Sequence, residues 1–112
     1  MSGVRVPHRP PLLRNMNTLK TFKRILRDYG LYEWRLELHD YPTHWLGITN
    51  FTLAKITLLK NYVENGNPES VKDTFLHEVA HALTGPDHDS RWEAACARIG
   101  CTAQITRNNA WI

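Results

Sequence analysis

Between Thr74 and Trp92 the chain reads TFLHEVAHALTGPDHDSRW, and this stretch restricts the fold more than any other. Residues four apart lie on one face of an α-helix, one turn from each other, so His77 and His81 can present two imidazole nitrogens to a single ion. Glu78 falls at the edge of that face. It is too displaced to be a third ligand, but it can reach water at the metal, the arrangement a metal-assisted hydrolase needs.

A catalytic zinc takes three protein ligands and keeps one position open. Gly85 and Pro86 end the helix, since glycine accepts backbone angles that close a helix and proline cannot continue one. The chain therefore turns back, and His88 arrives three residues after Gly85. Asp87, Asp89 and Glu93 compete for the third position, because a carboxylate is an acceptable zinc ligand. His88 is favoured, since a neutral imidazole completes the set without cancelling the charge of the ion. A His-Glu-x-x-His string can also arise by chance in a helix. Here a helix stop and a further histidine follow it. A purely structural zinc is generally closed by four Cys or His ligands, whereas only three candidates cluster here, beside a glutamate.

The run Leu76-His77-Glu78-Val79-Ala80-His81-Ala82-Leu83, then Gly85, then His88 with Trp92 four residues on, resembles the SprT-like, Spartan-related, zinc metallopeptidase family. Leu46-Gly47-Ile48-Thr49 through Lys55-Ile56-Thr57-Leu58 is similar to the strand pair that precedes the metal helix there. The resemblance runs from about Thr18 to about Gly100. It implies a small zincin-like fold, Zn²⁺ held by His77, His81 and His88, catalysis by Glu78, a last strand at the sheet edge beside the cleft, and a DNA-linked setting. Other zinc-peptidase patterns fit less well. A metzincin needs glycine seven and histidine ten residues after the first histidine, but Gly85 and His88 come at eight and eleven, and Met1 and Met16 both precede the motif. A thermolysin-type site needs a later glutamate ligand, and Glu93 is the only glutamate after Glu78.

The 112 residues suffice for one two-layered domain, expected over 16–112 behind a flexible basic arm at 1–15. The arm contains Pro7, Pro10 and Pro11 and no hydrophobic periodicity; Met16 is an alternative start. No apolar run approaches the length of a membrane span, and no signal-peptide core is visible, so an intracellular, cytoplasmic protein is expected. Residues 1–27 hold Arg5, Arg9, Arg14, Lys20, Lys23, Arg24 and Arg27 and no acid; the other 85 residues carry seven cations against eleven acids, a net charge of −4. The basic N-terminal segment is either a DNA-binding surface or the solvated side of an amphipathic helix.

That helix is expected from Asn17 to Gly30, with Leu19, Phe22, Leu26 and Tyr29 on its apolar stripe. Trp34, Leu36 and Leu38 alternate with polar residues and predict a first strand; further strands are expected around Trp45–Asn50 and Lys55–Leu58. His39 and His44 have no partner at ligand spacing and read as ordinary polar histidines near a turn at Pro42. Asn67 caps a helix from Pro68 to about Thr84, whose stripe of Val71, Phe75, Val79 and Leu83 faces the sheet. Ser90 and Glu93 suggest a capping box opening a last helix, on which Trp92, Cys96 and Ile99 share a face. Cys96 reads as core, and neither it nor Cys101 suggests a disulfide framework. The expected fold class is thus α+β: an N-terminal helix, a three-stranded sheet, the metal helix and a closing helix. The expected activity is hydrolysis of a protein or peptide substrate, with a zinc-stabilised DNA- or protein-binding module as the rival.

Overall fold

The computed structural model describes residues 11–102, with side chains from residue 16 onward. Its elements are α1 (Pro11–Asp28), β1 (Arg35–His39), β2 (Gly47–Asn50), β3 (Lys55–Leu59), α2 (Lys60–Asn65), α3 (Pro68–Thr84) and α4 (Ser90–Ile99). Among the described residues this is a small α+β fold of four helices and one three-stranded mixed sheet. No helix among the described residues is long and apolar enough to cross a membrane.

α1 begins at Pro11, upstream of the expected start at Asn17. Proline suits the first turn of a helix, where its missing N–H would find no partner, and nothing between Leu12 and Met16 breaks the helix once begun. Of the arm expected at 1–15, residues 1–10 lie outside the described residues and the rest belong to the backbone of α1. Gly30, at φ +79°, ends this segment: its N–H donates to the Arg27 carbonyl and the N–H of Leu31 donates to that of Leu26.

The strand order is β1-β3-β2, with β1 parallel and β2 antiparallel to β3. β3 is therefore the central strand. The expectation that it forms the edge beside the site is corrected: that edge is β2. Ile56, Thr57 and Leu58 of β3 are all buried, which accords with its place inside the sheet. The resemblance suggested a local strand pair, and the parallel pairing with β1 is a long-range feature that neighbouring strands do not reveal. α2 was not foreseen. It spans six residues, too few for a helical period, and its N-cap Leu59 makes no side-chain cap bond; only Val63 on it is buried, which joins it to the core.

α3 packs on β2 and β3, α4 on α3, and α1 against β1 and α2. The core joins Leu36, Ile56 and Leu58 of the sheet to Phe75, Val79 and Ala80 of α3. Phe22 of α1 stacks on Phe75, with ring centroids 4.1 Å apart and planes nearly parallel. Burying side chains such as Phe75 and Val79 contributes roughly 1.5–3 kcal/mol each. Trp92, Cys96 and Ile99 are buried along α4, as expected from their common face. Cys96 and Cys101 are, however, joined by a disulfide, against expectation. Gly100, in the left-handed conformation at φ +94°, reverses the chain after α4 and brings the two Cα atoms within 4.9 Å, a separation that permits the bond.

Gly47 fixes how closely β2 approaches α3. A Cβ there would lie 2.9 Å from Leu58 Cδ2, 3.2 Å from Thr74 Cγ2 and 3.4 Å from Glu78 Cγ. Leu58 is fully buried and cannot yield freely. Gly47→Ala should therefore push β2 away from α3 and lower unfolding free energy by about 1–3 kcal/mol, measured by urea denaturation. An unchanged midpoint would show that the approach is not tight.

Candidate metal centre

α3 is held at both ends. The Asn67 side chain accepts bonds from the N–H groups of Glu69 and Ser70 at 2.9 and 3.2 Å, and Pro68 occupies the first turn. At the other end the N–H of Gly85 donates to the His81 carbonyl, with Gly85 at φ +125°, a region that favours glycine. This helix is buried without interruption from Thr74 to His81, so its polar side chains are set in a packed interior rather than on a surface.

His77 and His81 lie on successive turns, and the loop after Gly85 returns His88 to meet them. His81 Nε2 is 3.0 Å from His88 Nε2, which is 3.2 Å from His77 Nε2. One candidate ligand atom from each histidine lies within 4.8 Å of the others, so the three could hold one metal ion. A tetrahedral zinc with Zn–N bonds of about 2.0–2.1 Å spaces its ligand nitrogens roughly 3.3 Å apart, close to the separations seen here. Asp87 and Asp89 do not join the cluster.

The chemistry of the donors also fits. His81 Nδ1 lies 2.9 Å from the Gly85 carbonyl, which can only accept, so this nitrogen carries the proton and Nε2 keeps its lone pair for a metal. Burial pushes His77 down to about 2, helped by the charges of His81 and His88. Burial likewise lowers His81, against the opposing effect of the Gly85 carbonyl, and it lowers His88. All three are thus neutral near pH 7, the form that binds metals.

Trp92, fully buried on α4, backs the cluster. Its ring centroid is 4.6 Å from those of His77 and His88 and 5.5 Å from that of His81, and its Nε1–H donates to the His77 carbonyl at 3.4 Å. α4 is capped by Asp89, whose carboxylate accepts from the Trp92 N–H at 3.1 Å. The expected Ser90–Glu93 capping box is therefore replaced by a cap one residue earlier. That bond holds the Asp89 carboxyl below its ordinary range and commits it to the helix.

Glu78 is fully buried beside His77. Burial pushes its carboxyl up to about 8, offset in part by a bond from Thr49. The Thr49 hydroxyl lies 2.7 Å from Glu78 Oε1 and 3.2 Å from the Glu78 carbonyl. Glu78 Oε2 is buried with no hydrogen-bond partner among the described residues. Neither Thr49 nor Gly47 was foreseen as part of this site. A glycine and a threonine alternating on one face of a strand was the available signal, since a strand glycine often marks close backbone approach. His39 and His44 stay outside the cluster; His39 packs on Trp45, with centroids 5.4 Å apart. A cavity of about 520 Å³ between α1, α3 and α4 is lined by Asp28, Tyr29 and Asp73 among others and includes none of the three histidines.

A helix presenting two neutral histidines, a returning loop supplying a third, and a mixed sheet behind them define a small α+β domain able to bind one metal ion. The chain belongs to the SprT-like family, whose model matches residues 12–110. No curated protein and no solved structure matches it.

The purified protein should carry one metal ion per chain by mass spectrometry under native conditions, and His88→Ala should abolish it. Asp89→Ala should weaken the start of α4 and lower thermal stability while leaving occupancy unchanged. If Asp89→Ala loses the metal and His88→Ala keeps it, the third ligand is wrongly assigned.

Proposed function

We propose that this protein is a zinc-dependent metallopeptidase that hydrolyses peptide bonds, with Glu78 as its proton carrier and DNA-associated proteins as its substrates. The observation that carries the reading is the convergence of three neutral imidazoles beside a buried glutamate in a chain of the SprT-like family. Zinc, the ion suited to a three-histidine set with an open position, supplies when bound the Lewis acidity that polarises a carbonyl and the positive charge that favours ionised Glu78. Glu78 then accepts a proton from water and returns it to the leaving amine. β2, the edge strand beside Glu78, offers main-chain groups to an extended polypeptide.

The rival reading is a binding module in which zinc only stabilises the fold. Full burial of Glu78 weighs against that reading. A carboxyl in the interior costs stability, as its upward shift to about 8 records, and a purely structural metal site has no use for one.

The DNA-linked part rests on α1 and on the family resemblance. Lys20, Lys23, Arg24 and Arg27 are exposed and line one groove, and none of them forms an ion pair among the described residues. Such a surface suits phosphate contacts without sequence preference. An intracellular setting accords with this partner, whereas the Cys96–Cys101 disulfide favours an oxidising compartment.

Glu78→Gln should keep the metal, because the residue is not a ligand, yet lower turnover of an unfolded polypeptide by roughly a hundredfold or more. Unchanged turnover would refute the proposed role of Glu78. Absence of turnover in wild type on unfolded and DNA-bound proteins alike would favour the binding module.

For DNA, affinity should fall with salt, and each α1 cation replaced by alanine should flatten the log–log slope by roughly 0.9 where it meets a phosphate. Lack of measurable binding by the full chain at physiological salt would remove DNA from the proposal.

A further inference from the structure

We propose that Thr49 is the positioning residue for Glu78, its hydroxyl fixing one carboxylate oxygen so that the other is left to carry the proton. The catalytic consequence rests on the hydrolysis proposed above; the contact itself does not.

Thr49 lies on β2 and Glu78 on α3, 29 residues apart in the chain. A threonine hydroxyl has one proton to donate. Two acceptors lie within reach, Glu78 Oε1 at 2.7 Å and the Glu78 carbonyl at 3.2 Å, and the shorter contact takes it. The carbonyl is already engaged within the helix, whereas the carboxylate is the stronger acceptor. Oε1 is thereby occupied, and Oε2 has no hydrogen-bond partner among the described residues. The two oxygens are chemically equivalent in isolation, and the strand makes them different.

The bond depends on how closely β2 docks on α3. Gly47 lies on the same face of β2 as Thr49, two residues before it, and lets the strand approach until a Cβ would be crowded by Leu58, Thr74 and Glu78 itself. Thr49 is partly buried and β-branched, which restricts its first side-chain torsion. Glu78 has three rotatable side-chain bonds, and a bond from a stiff donor on another element removes most of that freedom. Small losses of orientation at a proton carrier reduce rate without removing binding. Thr49→Val keeps the shape and deletes the donor; Thr49→Ser keeps the donor.

The test uses zinc-loaded full-length protein, with zinc content and thermal midpoint measured alongside kcat and KM on an unfolded polypeptide. Thr49→Val should retain zinc and stay folded, with a somewhat lower midpoint because buried Glu78 Oε1 loses its donor, and with kcat lowered about tenfold or more and KM little changed; Thr49→Ser should recover most of both losses. A Thr49→Val enzyme with wild-type kcat, or a serine variant as impaired as the valine variant, overturns the proposal. A readout independent of turnover is the ¹³C signal of the Glu78 side-chain carboxyl, assigned by its loss in Glu78→Gln. The wild type and Thr49→Ser should share its position, and Thr49→Val should displace it. An undisplaced signal overturns the inference even if hydrolysis is real. A displaced signal in a protein that hydrolyses nothing upholds the contact and removes the peptidase reading instead.

Discussion

Everything at this site depends on α3 being packed on two sides. The sheet and Phe22 cover it from one direction and α4 from another, so eight consecutive residues from Thr74 to His81 are buried around the helix circumference. An amphipathic helix could place two histidines four apart on its exposed face, but their rings would sample several rotamers. Here Trp92 and the neighbouring imidazoles limit those choices, and the Gly85 carbonyl fixes the orientation of His81. Rigidity is supplied by packing, and the ligand geometry follows from it.

The same burial has opposite consequences for the two kinds of titrating group. Removing water disfavours charge, so the histidines are held neutral and Glu78 is held toward its protonated form. In the absence of a cation the raised Glu78 carboxyl opposes stability near pH 7, where it would ionise freely outside, and the lowered histidines oppose it at acidic pH, where they would be charged outside. A single positive ion among three lone pairs and beside one carboxyl answers both at once. The polar cluster is therefore costly as a packing unit and coherent as an ion site, which is why its chemistry outweighs the reading of His77 and His81 as ordinary core residues.

Much of this was legible in local patterns. The span of α3, its Asn67 cap, its end at Gly85 and the three histidines all follow from spacing and from residues with strong local preferences. The apolar face of α4 was equally plain, although its cap shifted from Ser90 to Asp89. What escaped was non-local. The central place of β3 depends on parallel pairing with β1, and the Thr49–Glu78 bond on the docking of a strand against a helix 29 residues away. Neither leaves a periodic trace in the chain. The disulfide between Cys96 and Cys101 escaped for a different reason: the pair spans a helix end, and only the left-handed Gly100 brings the second sulfur back to the first. α2 is too short to show a period at all.

The central claim is that one zinc ion is bound by three imidazoles with a position left open. X-ray absorption at the zinc edge of the loaded protein measures this directly. Three imidazole nitrogens at about 2.0–2.1 Å, with one further light-atom ligand, are the predicted shell. A sulfur near 2.3 Å, a fourth imidazole, or only two imidazoles would contradict it.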